Sequence, residues 1–373
     1  MSDGMYARRH RRRYKEFRCS KGGRTTMEQG VLQGSEEVAH GQVVGEVDTA
    51  FLAQLAELPS VGTACGPVVQ ALTQRFGPGY RRVLVPDGFC LFQLSGAAPQ
   101  ALRVLFVAHL DEIGGCVYGP RDEPPGSYDA RWWGAEPEAF AAANLQAFDV
   151  LATDPSSAFT VRAELAPDGR LVVLGDGVRP YRTMWTYREA VALQNDLVEG
   201  KALDPRATVY AVTEATRALD NPSVGALFVM AEECDVHVAQ RAVAFLSRRA
   251  PDLRVVANAD VPDLKALGEG RLDTPALRIY EGHALVDPTF GVRAAEELQR
   301  RGMHLHLTGA RSSSQTSLFR ALAPTLSVAI PCDGVHQPRG RMSLTGIQRC
   351  TDLLVAIGQM ALGGPMEIET LQV

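Results

Sequence analysis

The chain has 373 residues, which is enough to bury a large hydrophobic core and to form more than one domain. Its hydrophobic fraction of 46% and charged fraction of 22% are those of an ordinary soluble globular protein. The net charge of −5 argues against nucleic acid as the main partner, and no apolar run approaches the roughly 18 residues that cross a membrane. The seven cysteines form no CxxC pair, which favours a reduced, cytoplasmic location over a disulfide framework.

Residues 1–42 differ in composition from the rest of the chain. A basic block runs from Arg8 to Lys15 and lacks the apolar periodicity of a helix or strand. It also lacks the apolar stretch of a secretory signal. We therefore expect a disordered, dispensable tail, with Met27 as the true start of the protein. Binding of nucleic acid through this block is the weaker alternative.

From Asp48 onward the apolar spacing predicts regular elements. Residues 48–58 have helical periodicity with a capping residue at the start, and a second helix follows with Val68, Leu72 and Phe76 on one face. Two strands, at 82–85 and 90–94, flank the turn Pro86-Asp87-Gly88. The run at 104–107 is wholly apolar, which is typical of a buried strand in a parallel sheet.

Between residues 118 and 196 the pattern changes. Short apolar runs at 159–161 and 171–174 are separated by glycine, proline and aspartate, which predicts a small inserted β domain. Trp132 and Trp133 lie in this insertion and suit either a contact surface or the core of the domain.

Beyond the insertion, helices and strands alternate. Strands are predicted at 225–230, 253–259, 277–279 and 325–330, the third of them as an edge strand. Helices are predicted at 207–219, 238–249, 294–301, 317–322 and 343–362. The alternation predicts an α/β domain, formed by residues 43–117 and 197–373, with a mixed, mostly parallel sheet flanked by helices.

Acidic and imidazole side chains follow the ends of the predicted strands or begin a helix: His109, Asp111, Asp204, Glu232, Glu233, Asp260 and His336. A polar turn, a helix-capping aspartate or a satisfied histidine explains each residue taken alone. Parallel strands, however, bring their carboxyl ends to one edge of the sheet, where α/β proteins hold their sites. Taken together, the set predicts a metal site.

Imidazole nitrogen and carboxylate oxygen suit zinc, cobalt or manganese. Two histidines and three of these acids suffice for two ions: one carboxylate can bridge both, and each ion then holds one histidine, the bridge and one further acid. This pattern is typical of a hydrolytic site with two metal ions about 3.5–4 Å apart.

Several motifs resemble those of one family, in the family's own order. AHLDEIGG (108–115) resembles its AHMDEIG, KALDPRA (201–207) its KALDDR, and VMAEECD (229–235) its strand followed by Glu-Glu, while NADV and VHQP resemble its later Asp and His-Ser-Pro motifs. The family is the tetrahedral or glutamyl aminopeptidase group of dinuclear metallopeptidases, within the co-catalytic zinc exopeptidases. The resemblance runs from residue 48 to residue 362 and implies a zinc-exopeptidase-like fold with a β-barrel-like insert.

The resemblance also implies roles for individual residues. One ion would be held by His109 and Asp260, the other by Glu233 and His336, and both would be bridged by Asp204. Asp111 would orient His109 through its second ring nitrogen. Glu232 would be the general base, which takes a proton from the attacking water and later delivers it to the leaving amine.

The peptide bond after Asp204 carries a further expectation. Relatives have a cis peptide after the bridging aspartate, where a second aspartate usually follows. Here the next residue is Pro205, before which a cis bond is much less costly than before other residues. We therefore expect the Asp204–Pro205 bond to be cis.

Three segments depart from the family's pattern near the expected pocket. Gln315 lies about where the family has an acid, Arg339 and Arg341 stand in place of an acid after the His-Ser-Pro motif, and residues 234–237 replace the glycines after Glu-Glu. Because an acid is lost and arginines are gained, we expect an acidic or carboxylate-bearing substrate to be favoured over a free N-terminal amine.

The resulting hypothesis is a cytoplasmic two-metal aminopeptidase that removes single residues from the N-termini of short peptides. Zinc is the expected metal, with cobalt or manganese as alternatives, and neither nucleic acid nor a membrane is an expected partner. Because relatives assemble into dimers and hollow dodecamers, we expect a homo-oligomer with the inserted domain helping assembly. The alternatives are another amide hydrolase of the same fold, such as a deacylase or dipeptidase, and a non-catalytic assembly or peptide-binding protein.

Overall fold

The fold is described from a computed structural model for residues 45–363, apart from residues 123, 124, 236, 269 and 313. The predicted basic tail at 1–42 therefore lies outside the described residues, and so does Met27, the expected start of the protein.

The first elements are two helices followed by three strands: α1 (Thr49–Glu57), α2 (Gly66–Phe76), β1 (Tyr80–Val85), β2 (Phe89–Leu94) and β3 (Val104–His109). Asp48 caps α1, because its carboxylate accepts a hydrogen bond from the backbone N–H of Phe51 at 3.0 Å. The order and type of these elements are those that the apolar spacing predicts.

A closed barrel follows, built from β4 (Gly114–Pro120), β5 (Ser127–Trp133), α3 (Pro137–Ala141), β6 (Leu145–Asp149), β7 (Phe159–Leu165), β8 (Leu171–Leu174) and β9 (Thr183–Tyr187). In the part of the chain that is described, its six strands pair antiparallel in the order β4-β5-β8-β7-β6-β9, and β9 returns to β4. Phe140 packs against Trp185 and Tyr187 in its core, with ring centroids 4.9 and 5.0 Å apart. The predicted β-barrel-like insertion is thus confirmed, while its limits at 118 and 196 and its role in assembly stay predictions.

The remaining elements are β10 (Ala192–Gln194), β11 (Leu197–Gly200), α4 (Leu203–Leu219), β12 (Val224–Val229), α5 (Val238–Arg249), β13 (Val255–Asp260), β14 (Ala276–Glu281), β15 (Ala284–Leu285), α6 (Pro288–Arg300), β16 (His306–Ala310), α7 (Thr316–Phe319), β17 (Thr325–Ala329), β18 (Gly340–Ser343) and α8 (Leu344–Gly363). Helix α6 begins earlier than the expected residue 294, with Pro288 in the first turn, a position that tolerates proline.

The central sheet has nine strands among the described residues, in the order β1-β2-β12-β3-β13-β17-β14-β15, with β16 paired to β14. Strands β12, β3, β13 and β17 are parallel, and β2 and β14 join this core antiparallel. The predicted mixed α/β sheet is confirmed. The expectation that 277–279 forms an edge strand is wrong, because Leu277 and Arg278 of β14 pair with β17 on one side and with β16 on the other. Strand β16 escaped prediction because its first two residues are exposed and it has no apolar run.

Helices cover both faces of this sheet. Strand β3 is buried at every position, and its side chains alternate between the two faces. Phe106 packs into the cluster that contains α4 and α8, whereas Leu105 and Val107 pack into the cluster that contains α5. None of the described helices is long and apolar enough to cross a bilayer. The layering leaves the carboxyl edge of the parallel strands as the place where polar side chains gather.

The close approach of the barrel strands at Gly115 yields a test of the fold. A Cβ at Gly115 would lie 2.2 Å from the carbonyl oxygen of Arg131 and 2.4 Å from the ring of Trp185. We expect Gly115→Ala to lower the free energy of unfolding by about 1–3 kcal/mol, because backbone and ring must both shift. The matched control is Gly119→Ala on the same strand, where a Cβ meets nothing within 4 Å. Urea denaturation of the two variants measures the difference, and equal stabilities would contradict the packing described.

Candidate metal centre

Strand ends bring the predicted site residues to one edge of the sheet. The site residues that end strands or follow them are His109 on β3, Glu232 and Glu233 after β12, Asp260 on β13 and His336 after β17. Asp204 has an extended backbone at the start of α4, and its peptide bond to Pro205 is cis, as the sequence predicts.

The first group of converging side chains consists of His109, Asp204 and Asp260. Nε2 of His109 lies 3.0 Å from Oδ1 of Asp204 and 3.7 Å from Oδ1 of Asp260. One ligand atom from each residue lies within 4.8 Å of the other two. An imidazole nitrogen and two carboxylate oxygens at this separation can surround one cation.

The second group consists of Asp204, Glu233 and His336. Nε2 of His336 lies 3.1 Å from Oε1 of Glu233 and 3.6 Å from Oδ2 of Asp204. Asp204 therefore presents one oxygen to each histidine, which is the arrangement expected of a carboxylate that bridges two ions. The structure brings together all five predicted ligands, and their roles as ligands stay predictions.

Asp111 is fully buried and holds the turn that carries the two glutamates. Its carboxylate accepts hydrogen bonds from the backbone N–H groups of Glu232, at 2.8 Å, and Glu233, at 3.1 Å. Nδ1 of His109 lies 3.7 Å from Asp111 and has no hydrogen-bond partner among the described residues. Asp111 thus faces the ring nitrogen that the resemblance assigns to it, but at more than hydrogen-bonding distance. Its hold on the glutamate turn was not predicted.

Glu232 lies beside the first group, with ligand atoms of Glu232, His109 and Glu233 within 4.8 Å of one another. Burial raises the pKa of Glu232 well above its ordinary value, and the neighbouring carboxylates of Asp260 and Glu233 add to the effect. A buried carboxyl with a raised pKa is a candidate general base. The same position also lets Glu232 reach a cation, so its role as base rather than ligand stays a prediction.

The charges around both histidines favour a positive group at the site. Burial works to lower the pKa of His109, but Asp111, Asp204 and Asp260 outweigh it and raise that pKa well above the ordinary value. Burial also works to lower the pKa of His336, but Asp204 and Glu233 outweigh it and raise that pKa to about 11. The carboxylates thus draw positive charge to the atoms that would bind metal. This donor set fits a divalent cation, which binds neutral imidazole and supplies the charge instead.

A buried ion network that sequence reasoning missed lies next to Asp204. Lys201 Nζ lies 2.7 and 2.8 Å from the two oxygens of Glu112, and both side chains are almost wholly buried. Arg206 donates to the carbonyl oxygens of Leu55, Leu58 and Leu110. Lys201 and Arg206 flank Asp204 in the KALDPRA motif, so two positive charges beside a candidate ligand were the available signal.

Arg278 is a second missed residue, and its guanidinium lies 3.0 Å from Oδ2 of Asp260. Burial works to raise the pKa of Asp260, but Arg278 and His109 outweigh it and lower that pKa below the ordinary value. The signal in the sequence was an arginine inside the apolar run ALRIYE of strand β14.

Two arginines that underlie the expected preference for an acidic substrate form ion pairs at the surface, and the preference itself stays a prediction. Arg339 pairs with Glu189 at 2.9 Å, Arg341 pairs with Asp333, and both arginines are largely exposed. Their charges are therefore balanced outside the pocket. Gln315, in contrast, is buried beside His109 and Glu232, and its amide nitrogen has no partner in the described part of the chain.

The role of Asp111 leads to a test with metal affinity as its readout. We expect Asp111→Asn to weaken metal binding about 10–100-fold, because an amide has a single acceptor oxygen and cannot hold both glutamate N–H groups. The control is Asp154→Asn in the barrel, which changes an aspartate that accepts from the backbone N–H of Ser156. Chelator competition measures both variants, and wild-type affinity in Asp111→Asn would contradict the assigned role.

The sequence and the fold were compared with known proteins. The family model described as M42 glutamyl aminopeptidase matches residues 172–353. This range contains Asp204, Glu232, Glu233, Asp260 and His336 and excludes His109 and Asp111. The comparison with curated proteins found no match.

Solved structures of several peptidases share the fold. A dodecameric PhTET1 structure has a TM-score of 0.71 at 17% identity and covers 83% of this chain and 98% of its own. The TET1 peptidase of Pyrococcus horikoshii, described as assembling into a tetrahedron or a large octahedral shell, has a TM-score of 0.70 at 17% identity over the same shares of the two chains. The TET aminopeptidase of Thaumarchaeota archaeon SCGC AB-539-E09 has a TM-score of 0.70 at 16% identity and covers 84% of this chain and 98% of its own.

At these identities the structural likeness establishes the fold. The family match covers the residues that end or follow strands β12, β13 and β17. The predicted resemblance to the M42 glutamyl aminopeptidases is therefore confirmed by the family match over residues 172–353, and with it the class of peptide-bond hydrolase. The solved structures confirm the fold.

Proposed function

We propose that this chain is a two-metal aminopeptidase that removes residues from the N-termini of short peptides. The observation that carries the proposal is the position of Asp204, whose two oxygens face the Nε2 atoms of His109 and His336 at 3.0 and 3.6 Å. A carboxylate shared in this way by two histidine-containing groups is the arrangement that a pair of hydrolytic metal ions requires.

One ion would be held by His109, Asp260 and Asp204, and the other by Glu233, His336 and Asp204. The chemistry supplied by two such ions, when bound, is a lowered pKa for a water molecule and polarisation of the scissile carbonyl. Zinc fits imidazole and carboxylate donors best, and cobalt or manganese accept the same set. A cytoplasmic location remains part of the proposal.

Glu232 moves the proton in this mechanism. Its carboxylate takes a proton from the attacking water as the C–O bond forms, and it gives a proton to the amine nitrogen as the C–N bond breaks. Burial suits it to both steps, because the raised pKa brings the carboxyl closer to neutral pH. Asp111 supports it by holding the backbone N–H of Glu232 at 2.8 Å.

We also propose a homo-oligomer that uses the barrel in its contacts. Structures of the same fold are described as a dodecamer and as a tetrahedron or octahedral shell. Enclosure of this kind would restrict the substrates to short peptides.

A second candidate function is hydrolysis of another amide by the same metal centre, as in a deacylase or dipeptidase. The observation in its favour is Gln315, which lies in the small pocket with Glu232 and Asp260, about where the family has an acid. Its amide nitrogen has no partner among the residues that the structure describes. An amide there donates a hydrogen bond but has no negative charge to attract an ammonium. It therefore suits a substrate without a free N-terminal ammonium. The non-catalytic alternative is disfavoured because all the predicted ligands and Glu232 converge.

The experiment that separates these functions compares peptides with free and acetylated N-termini, using purified full-length protein loaded with zinc, cobalt or manganese. We expect release of free amino acids from unblocked glutamyl, leucyl or lysyl substrates, and loss of that activity on chelation. Hydrolysis of acetylated peptides alone would favour a deacylase, and cleavage of dipeptides without cleavage of longer peptides would favour a dipeptidase. Absence of turnover on every substrate by the metal-loaded protein would favour a non-catalytic role.

Glu232→Gln tests the proton-transfer step. We expect kcat to fall about 10²–10⁴-fold while both metal ions are retained, because the amide cannot accept a proton. The matched control is Glu164→Gln, an exposed glutamate on barrel strand β7 that pairs with Arg162. Metal content and steady-state kinetics of the two variants are the measurements. Full activity in Glu232→Gln would exclude this residue as the base.

A further inference from the structure

Asp260 divides its two oxygens between the metal centre and a buried arginine. Its Oδ1 lies 3.7 Å from Nε2 of His109, whereas its Oδ2 lies 3.0 Å from Nη2 of Arg278. The side chain of Arg278 has no solvent exposure. A buried arginine that binds one oxygen of a candidate ligand determines which oxygen is left for a cation.

Arg278 is itself fixed in place by a second set of contacts. Its Nη2 lies 2.6 Å from Oε1 of Glu281, and its Nε donates to the hydroxyl of Ser327 at 2.8 Å. Glu281 is buried and also accepts hydrogen bonds from Ser314 at 2.7 Å and Thr316 at 3.0 Å. The guanidinium therefore cannot turn away from Asp260 without leaving polar groups unpaired in the interior.

The charges of this network explain how an arginine can bind a candidate metal ligand. Glu281 balances the positive charge of Arg278, so the arginine holds Asp260 without cancelling the negative charge that Asp260 offers to a cation. The other carboxylates of the centre lack such a partner: in the described part of the chain, Asp204 and Glu233 pair with histidines and not with arginine or lysine.

We propose that Arg278 is a positioning residue that makes Asp260 present a single oxygen, Oδ1, to the cation beside His109. This inference rests on the proposed two-metal function. Because Arg278 contacts Asp260 and neither Glu233 nor His336, its effect is confined to one of the two ions. A residue with a general structural role would affect both ions alike.

The test is a cobalt titration of metal-stripped, full-length protein, with a competing chelator, followed by visible absorption. In Arg278→Met we expect the dissociation constant of one ion to rise about 10–100-fold and that of the other to stay at the wild-type value. Arg278→Lys keeps the charge but has one nitrogen for three partners, so its loss should be smaller. Unchanged affinities for both ions, or equal loss of both, would overturn the proposal.

Two further variants make the result decisive. Arg349→Met removes an arginine that bonds Asp273 at 3.1 Å, away from the described metal centre, and both of its affinities should equal those of the wild type. If Arg278→Met fails to fold because Glu281 is left unpaired, the double variant Arg278→Met/Glu281→Gln removes both charges and should show the same selective loss. Wild-type protein that binds fewer than two ions would instead contradict the proposed function, independently of any variant.

Discussion

Carboxylates that leave water need positive partners, and this requirement governs the carboxyl edge of the sheet. Asp204, Glu232, Glu233 and Asp260 gather there with two histidines, largely removed from solvent. Removing an unpaired charge from water costs several kcal/mol, far more than the gain from most single contacts in a fold. The histidines and Arg278 offset part of this charge. The proposed pair of divalent cations would offset the rest, so the same atoms that make the edge unfavourable make it a candidate metal centre.

Beneath this edge, a second set of buried charges supplies rigidity. Glu112 accepts from Lys201, from the backbone of Ser60 and from the hydroxyl of Thr186 on the barrel strand β9. Arg206 joins the carbonyl oxygens of two separate segments, the end of α1 and the residue after β3, to the start of α4, where Asp204 lies. Groups that are already hydrogen-bonded in one arrangement do not need to reorganise when ligands or substrate bind. The network therefore holds Asp204 where it can face both histidines.

The convergence of the candidate ligands could be predicted from the sequence because it depends on local rules. A buried strand ends where its apolar run ends, and parallel strands end at one edge of the sheet. The proximity of His109 and Asp260 can therefore be predicted from the strand ends alone. Arg278 and the turn held by Asp111 depend instead on specific contacts that the position of a strand end does not determine, such as the hydrogen bond from the backbone N–H of Glu232 to Asp111. Ala231 and His336 have a left-handed backbone, with φ of 61° and 63°. Neither is a glycine, so the sequence does not indicate this conformation. Such features follow from tertiary packing, which periodicity does not encode.

One short stretch of chain joins the barrel to the candidate metal centre. Through it, the proposed assembly would act on the proposed catalytic site. Strand β3 ends at His109 and barrel strand β4 begins at Gly114, with Asp111 and Glu112 between them. Glu112 bonds Lys201, beside Asp204, and Thr186 of the barrel. A shift of the barrel by a neighbouring subunit would therefore strain the same residues that place His109 and Asp204. In the proposed assembly, a contact surface on the barrel would bear on the spacing of the candidate metal ligands without touching them.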